Sequence, residues 1–79
     1  MHLKVFGDEE MYFEDDVYSV SVKAVDGKVD FLDNHTDYLT VLHPEKFIKF
    51  HHAKGSETHN LDIKDDGIVF IEDNTVYIL

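Results

Sequence analysis

Apolar side chains return at every second position in almost every stretch of this sequence, and a period of two is the repeat of a pleated strand. In the longest instance Tyr18, Val20, Val22 and Ala24 alternate with Ser19, Ser21 and Lys23. Leu3 and Val5 alternate with His2 and Lys4, Val29 and Phe31 with Lys28 and Asp30, and Leu39 and Val41 with Tyr38 and Thr40. Ile48 and Phe50 alternate with Lys49 and His51, Leu61 and Ile63 with Asn60, Asp62 and Lys64, and Val76 and Ile78 close the series. Between the runs stand Asp26-Gly27, Asp33-Asn34, Gly55-Ser56, Asp66-Gly67 and Asp73-Asn74, residue types that tolerate the backbone of tight turns. A turn signal roughly every 8–12 residues is the rhythm of a sandwich or barrel. No stretch carries the 3.6-residue repeat of an amphipathic helix. The expected fold is all-β: a two-sheet sandwich of about 8–10 short, mostly antiparallel strands with essentially no helix, at most one short turn near His43-Pro44-Glu45.

With 79 residues the chain holds one domain. A chain of this size buries only about 60% of its unfolded surface, so its core is small, and such domains commonly rely on disulfides, a metal or a partner. There are no cysteines, which removes disulfides and thiolate chemistry. The formal net charge is −10, from 17 acidic and 7 basic residues. That sign repels phosphate backbones and anionic lipid, which argues against nucleic-acid binding. A hydrophobic fraction of 43%, with four Tyr and six Phe, is too high for a disordered acidic tail. The N-terminus lacks a basic region followed by an apolar run, and no apolar stretch approaches the length that spans a bilayer. One run breaks the alternation. Ile68-Val69-Phe70-Ile71 is apolar at both parities, as a strand buried on both faces, or one with a face reserved for a partner, would be.

The usual catalytic constellations do not assemble. Ser19 and Ser21 fall in mid-strand and Ser56 in a turn, none in the strained elbow that exposes a nucleophile. The carboxylate runs Asp8-Glu9-Glu10, Glu14-Asp15-Asp16 and Asp65-Asp66 cluster where the chain is expected to turn into solvent. Asp62 to Gly67 has Lys64 where a calcium loop needs an acid. Six histidines raise a metal hypothesis. A two-residue hairpin loop at Gly55-Ser56 would set His52 opposite His59, with no third ligand evident. No glycine-rich loop precedes a helix to cradle phosphate. Without catalytic groups, cofactor or small-molecule substrate, binding is the better reading.

The order of these residues resembles the epsilon subunit of F-type ATP synthases. His2-Leu3-Lys4-Val5, Glu9, Met11-Tyr12-Phe13, Val17 and Ser19-Val20-Ser21-Val22 parallel that family's H-L-x-V strand, acidic residue, F-S-G-x-V segment and V-x-S-V-x-V strand. Ala24-Val25-Asp26-Gly27 and Leu32-Asp33-Asn34-His35-Thr36-Asp37 stand where the family has a glycine turn and a P-G-H-A-P segment. Leu42-His43-Pro44-Glu45 matches its L-x-P-G. Asp66-Gly67-Ile68-Val69-Phe70-Ile71 and Asn74-Thr75-Val76-Tyr77-Ile78-Leu79 match its G-G-F/I-L-E-V and N-x-V-x-I/V-L. Asn34, Thr36-Asp37, Asp66 and Glu14-Asp15 depart from the pattern.

The resemblance implies a non-catalytic rotor subunit of the central stalk that couples the gamma subunit to the membrane c-ring during proton-driven ATP synthesis. It implies a peripheral location on the cytoplasmic face of the bacterial inner membrane, or the equivalent organelle face, without membrane insertion. The family's C-terminal helical pair, with its inhibitory and ATP-sensing roles, is expected to be absent, leaving the sandwich of residues 1–79 as the domain content. By analogy Asp26, Gly27, Lys28, Asn34 and His35 would face the ring, with a hydrogen-bonded turn as the alternative role for His35. Tyr38, Thr40, Leu42, Gly67, Ile68 and Val69 would face gamma. The competing reading is a free-standing acidic sandwich that binds a peptide or a transition metal.

Overall fold

The computed structural model describes residues 1–7, 11–44, 47–61 and 67–79, with Met11 described by its backbone alone. The described residues form nine strands and no helix: β1 (His2–Phe6), β2 (Met11–Asp16), β3 (Ser19–Ala24), β4 (Gly27–Leu32), β5 (Tyr38–Val41), β6 (Ile48–His51), β7 (His59–Leu61), β8 (Ile68–Glu72) and β9 (Thr75–Ile78). They make a five-stranded sheet in the order β2-β1-β9-β8-β5 and a four-stranded sheet in the order β4-β3-β6-β7. Every pairing is antiparallel except β1 with β9, which is parallel. The architecture is the two-sheet sandwich that the alternation implies. The runs Asp8–Glu10 and Asp65-Asp66, the failed calcium loop at 62–66, and the Glu45 end of the turn near Pro44 lie outside the described residues.

The sheets meet through one layer of side chains. Leu3 and Val5 of β1, Val76 and Ile78 of β9, and Val69 and Ile71 of β8 enter it from the larger sheet. Val20 and Val22 of β3, Phe31 of β4, and Ile48 and Phe50 of β6 enter from the smaller one. Phe31 is fully buried. Phe13 of β2 reaches across to Phe50, ring centroids 5.0 Å apart, and closes one edge of the layer. At another point the sheets touch through the isolated bridge between Ala24 and Leu42.

The turns follow their residue types, with one shift. Asp73 and Asn74 form a two-residue loop between Glu72 and Thr75, both at positive φ (51° and 55°), as a primed hairpin turn requires. Between β3 and β4 the two loop residues are Val25 and Asp26, because Ala24 pairs with Gly27. Gly27, at φ 130°, takes the backbone that only glycine enters freely just after the turn.

Strand β5 reverses its expected parity. Thr40 is opposite Val69 and Tyr38 opposite Ile71 in the β5–β8 ladder. Directly opposed residues project to the same face. Val69 and Ile71 are committed to the core, so Thr40 and Tyr38 go inward with them, and Leu39 and Val41 are turned out. Thr40 is buried, Tyr38 packs against the core, and Leu39 is 70% exposed. The mixed run at 68–71 is also resolved: Val69 and Ile71 are core, while Ile68 and Phe70 lie on the outer face.

The β6–β7 register differs from the expected one as well. Phe50, not His52, is opposite His59, because the connection is a seven-residue loop from His52 to Thr58.

Two substitutions read out this layer. Phe31→Ala should cost about 3–5 kcal/mol in urea unfolding, a large share of the roughly 4–12 kcal/mol available to a domain of this length. Val69→Asp places a carboxylate in the core and should cost more than about 4 kcal/mol. Its neighbour Ile68→Asp should change stability by no more than about 0.5 kcal/mol in the same titration.

Candidate docking surfaces

The ladder registers set side chains of the larger sheet into rows across its outer face. One row runs Leu39, Phe70, Tyr77, Lys4, Glu14 from β5 to β2. Phe70 and Tyr77 stack with centroids 4.6 Å apart and planes 12° from parallel. Lys4 Nζ lies 5.9 Å from the Tyr77 ring centroid, in cation–π range. The next row holds Val41 opposite Ile68, and Ile68 exchanges both backbone hydrogen bonds with Leu79 (3.0 and 2.9 Å). Leu39, Val41, Ile68 and Leu79 are exposed, and Phe70 and Tyr77 half-buried. Six apolar side chains thus lie together on β5, β8 and β9 with no covering layer among the described residues, the kind of patch that marks a docking surface. The outer face of the smaller sheet is different in kind. Ser21 bonds Asp30, and His51 joins Ser19 (3.2 Å) to Thr58 (2.8 Å), giving a polar, self-satisfied surface.

Of the positions expected to face gamma, only Ile68 belongs to this patch. Thr40, Leu42 and Val69 are buried, Tyr38 packs on the core, and Gly67 is enclosed. A Cβ on Gly67 would stand 2.9 Å from Leu42 Cδ1 and 2.9 Å from the Leu79 carbonyl oxygen, so glycine permits the close approach of these two strand ends. Leu39, Val41, Phe70, Tyr77 and Leu79 take the outward places. The signal was present as apolar residues at both parities in 38–42 and 68–71, but parity alone cannot say which set faces out.

The positions expected to face the ring divide between opposite ends of the sandwich. Asp26, Gly27 and Lys28 lie at one end of β4, and Asn34 and His35 lie beyond the other. The six-residue strand β4 spans about 17 Å from end to end. The His35 end is knitted to itself. The Met1 ammonium pairs with the Asp33 carboxylate and donates to the Val17 carbonyl (3.1 Å). The hydrogen bond from that ammonium holds the Asp33 carboxyl below its ordinary range. The Asn34 amide donates to Asn74 Oδ1 at 2.8 Å. His35 Nδ1 bonds the Thr36 carbonyl at 2.7 Å, and its ring sits edge-on to Phe31 at 5.1 Å. The turn at the other end is open, with Val25 56% exposed beside Asp26, Gly27 and Lys28.

Among the described residues, histidines and acids meet at two places, around His52 and His59 and around His2. His52 Nε2 bonds Asp15 Oδ2 at 3.0 Å across the two sheets, and this bond draws the Asp15 carboxyl below its ordinary range. The His52 and His59 rings come within 5.0 Å, but His59 stacks on Phe50 and points toward Glu57. No group of three or more His, Cys, Asp or Glu among the described residues is placed to hold a metal ion. The second place is one that the alternation gave no reason to single out. His2 Nδ1 lies 2.7 Å from Asp16 Oδ1, and His2 Nε2 lies 2.7 Å from Glu14 Oε2. Those carboxylates, Asp16 first, raise the His2 pKa above 6.5. His2 in turn lowers that of Glu14 from 4.5.

No curated protein sequence matches this chain significantly. Among solved structures, a chain of the Tetrahymena thermophila mitochondrial ATP synthase superposes with a TM-score of 0.72 at 19% sequence identity. It comes from a cryo-electron microscopy structure of the central stalk and c-ring. The match covers 99% of the present chain and 60% of the other. At that identity the likeness concerns the fold. The family assignment comes from the sequence profile of the ATP synthase delta/epsilon chain β-sandwich domain, which matches residues 1–79. The alternating strands, the two-sheet sandwich and this profile agree, and the chain belongs to the delta/epsilon chain family of ATP synthases.

Proposed function

We propose that this protein is a non-catalytic rotor subunit of the central stalk, seated on the gamma subunit by the outer face of its five-stranded sheet. The observation that carries the reading is the uncovered apolar patch of Leu39, Val41, Ile68, Phe70, Tyr77 and Leu79 on a chain of this family. A stable contact of this kind buries about 1,000 Å² or more, with aromatic side chains near its centre. The stacked Phe70–Tyr77 pair supplies aromatic side chains to such a contact. The open turn at 25–28 is the end we assign to the c-ring, since the His35 end has its polar groups engaged within the chain. Torque transfer through such a joint needs stiffness and matched surfaces rather than reactive groups, and a sandwich tied by backbone ladders supplies the stiffness. During ATP synthesis the subunit would pass rotation of the ion-driven ring to gamma. No helix among the described residues is long and apolar enough to cross a membrane. The proposed place is peripheral, on the face of the membrane that carries the catalytic head.

Co-purification with the cognate gamma subunit tests the reading. The wild-type chain should form a defined complex. Ile68→Asp and Leu39→Asp should each weaken it at least about tenfold, the effect of roughly 1.4 kcal/mol lost at an interface, while the circular dichroism spectrum is retained. A wild-type chain that ignores gamma, or two folded variants that bind like wild type, would overturn it.

A further inference from the structure

The contact of one imidazole with two carboxylates has a consequence for the edge of the larger sheet. Among the described strands β2 is an edge strand, bonded along one side, to β1. Its C-terminal half carries Glu14, Asp15 and Asp16, three adjacent acids that repel one another. Each is met by a histidine: Glu14 and Asp16 by His2 on the outer face, and Asp15 by His52 from the opposite sheet. The His2 geometry fixes its protonation state. Both ring nitrogens lie 2.7 Å from carboxylate oxygens. A neutral imidazole carries one N–H and one lone pair, so it can satisfy only one of these contacts. Its bare nitrogen would face an anionic oxygen. Only the imidazolium donates to both.

We propose that His2 is a proton-operated clamp that fastens edge strand β2 to β1. In the protonated state it bridges Glu14 and Asp16, which both face outward on β2, and cancels part of their repulsion. When the proton leaves to solvent, one bridge must open, and the C-terminal half of β2 loosens from its neighbour. The groups facing His2 are Glu14 and Asp16 from β2, uncharged Thr75 from β9, and Lys4 on its own strand. Asp15, on the other face of β2, also feels its charge. Lys4 shares Glu14 with His2, at 3.7 Å, and lies over Tyr77. Release of the clamp thus rearranges the charged rim of the apolar face as well as the edge.

The pH dependence follows from the two directions of shift. A raised His2 pKa gives stability that is complete below 6.5 and is lost as the pH climbs through the raised value. The lowered Glu14 pKa gives stability that is present above 4.5 and is lost on acidification. The clamp is therefore fully closed between these limits and opens on the alkaline side through His2. Nuclear magnetic resonance of the full chain tests this, following the His2 ring and the Glu14–Asp16 amides from acid to mildly alkaline pH. The His2 midpoint should lie above 6.5 and fall back toward it in Glu14→Gln and Asp16→Asn. Protection of the Glu14–Asp16 amides against hydrogen exchange, corrected for the intrinsic pH effect, should drop with the same midpoint, and that step should vanish in His2→Gln. A His2 midpoint at or below 6.5, one unmoved in both carboxylate variants, or a protection step that survives in His2→Gln would overturn the proposal. If His2→Gln does not fold, the carboxylate variants decide by themselves.

Discussion

The two sheets share a single layer of side chains, and each strand can place only one of its two parities there. The rest of the molecule depends on that choice. In β3 and β6 the decision is made by the strand itself, since one parity is apolar and the other polar. In β8 both parities are apolar, and in β5 the more apolar parity, Leu39 and Val41, is the one turned out, so the ladder decides. Val69 enters the core opposite Ile78 on one side and Thr40 on the other. That row forces Leu39 and Val41 outward beside Phe70 and Ile68. A threonine is buried, and a leucine and a valine are exposed, because the register between two strands outweighs the preference of any one side chain.

This is also where the sequence stops being legible. The all-β class, the two sheets, the positions of the turns and most of the core can be read from the period of two and the Asp-Gly and Asp-Asn punctuation. The orientation of β5 cannot, because Tyr38, Thr40 and Leu42 are as compatible with an outer face as Leu39 and Val41 until the partner strand is known. The same limit explains the division of the proposed ring contacts. Asp26 and His35 are nine positions apart, which suggests neighbouring loops, but β4 runs between them and carries them to opposite ends. The clamp at His2 was hidden for a related reason. His2 is 12 and 14 residues from its partners Glu14 and Asp16, and only the antiparallel β1–β2 register brings them together.

The two outer faces then take different roles. The smaller sheet pairs Ser21 with Asp30, and Ser19 and the loop residue Thr58 with His51, and meets water. The larger sheet grades from an apolar patch on β5, β8 and β9 to a charged edge on β1 and β2, with Lys4 and Tyr77 at the boundary. Such a gradient gives a docking surface an orientation: an apolar centre supplies affinity, and a charged rim fixes register. Under the proposed function this is the surface on which a stalk partner would sit.

The proposed function sets the outer face of the five-stranded sheet, rather than the smaller sheet, against gamma. Mapping chemical-shift changes over the labelled chain on addition of the cognate gamma subunit tests it most directly. The largest changes should fall on Leu39, Val41, Ile68, Phe70, Tyr77 and Leu79, with Ser21, Asp30, Lys49 and His51 left unperturbed. A footprint centred on those four polar residues, or spread without preference over both sheets, would contradict the account.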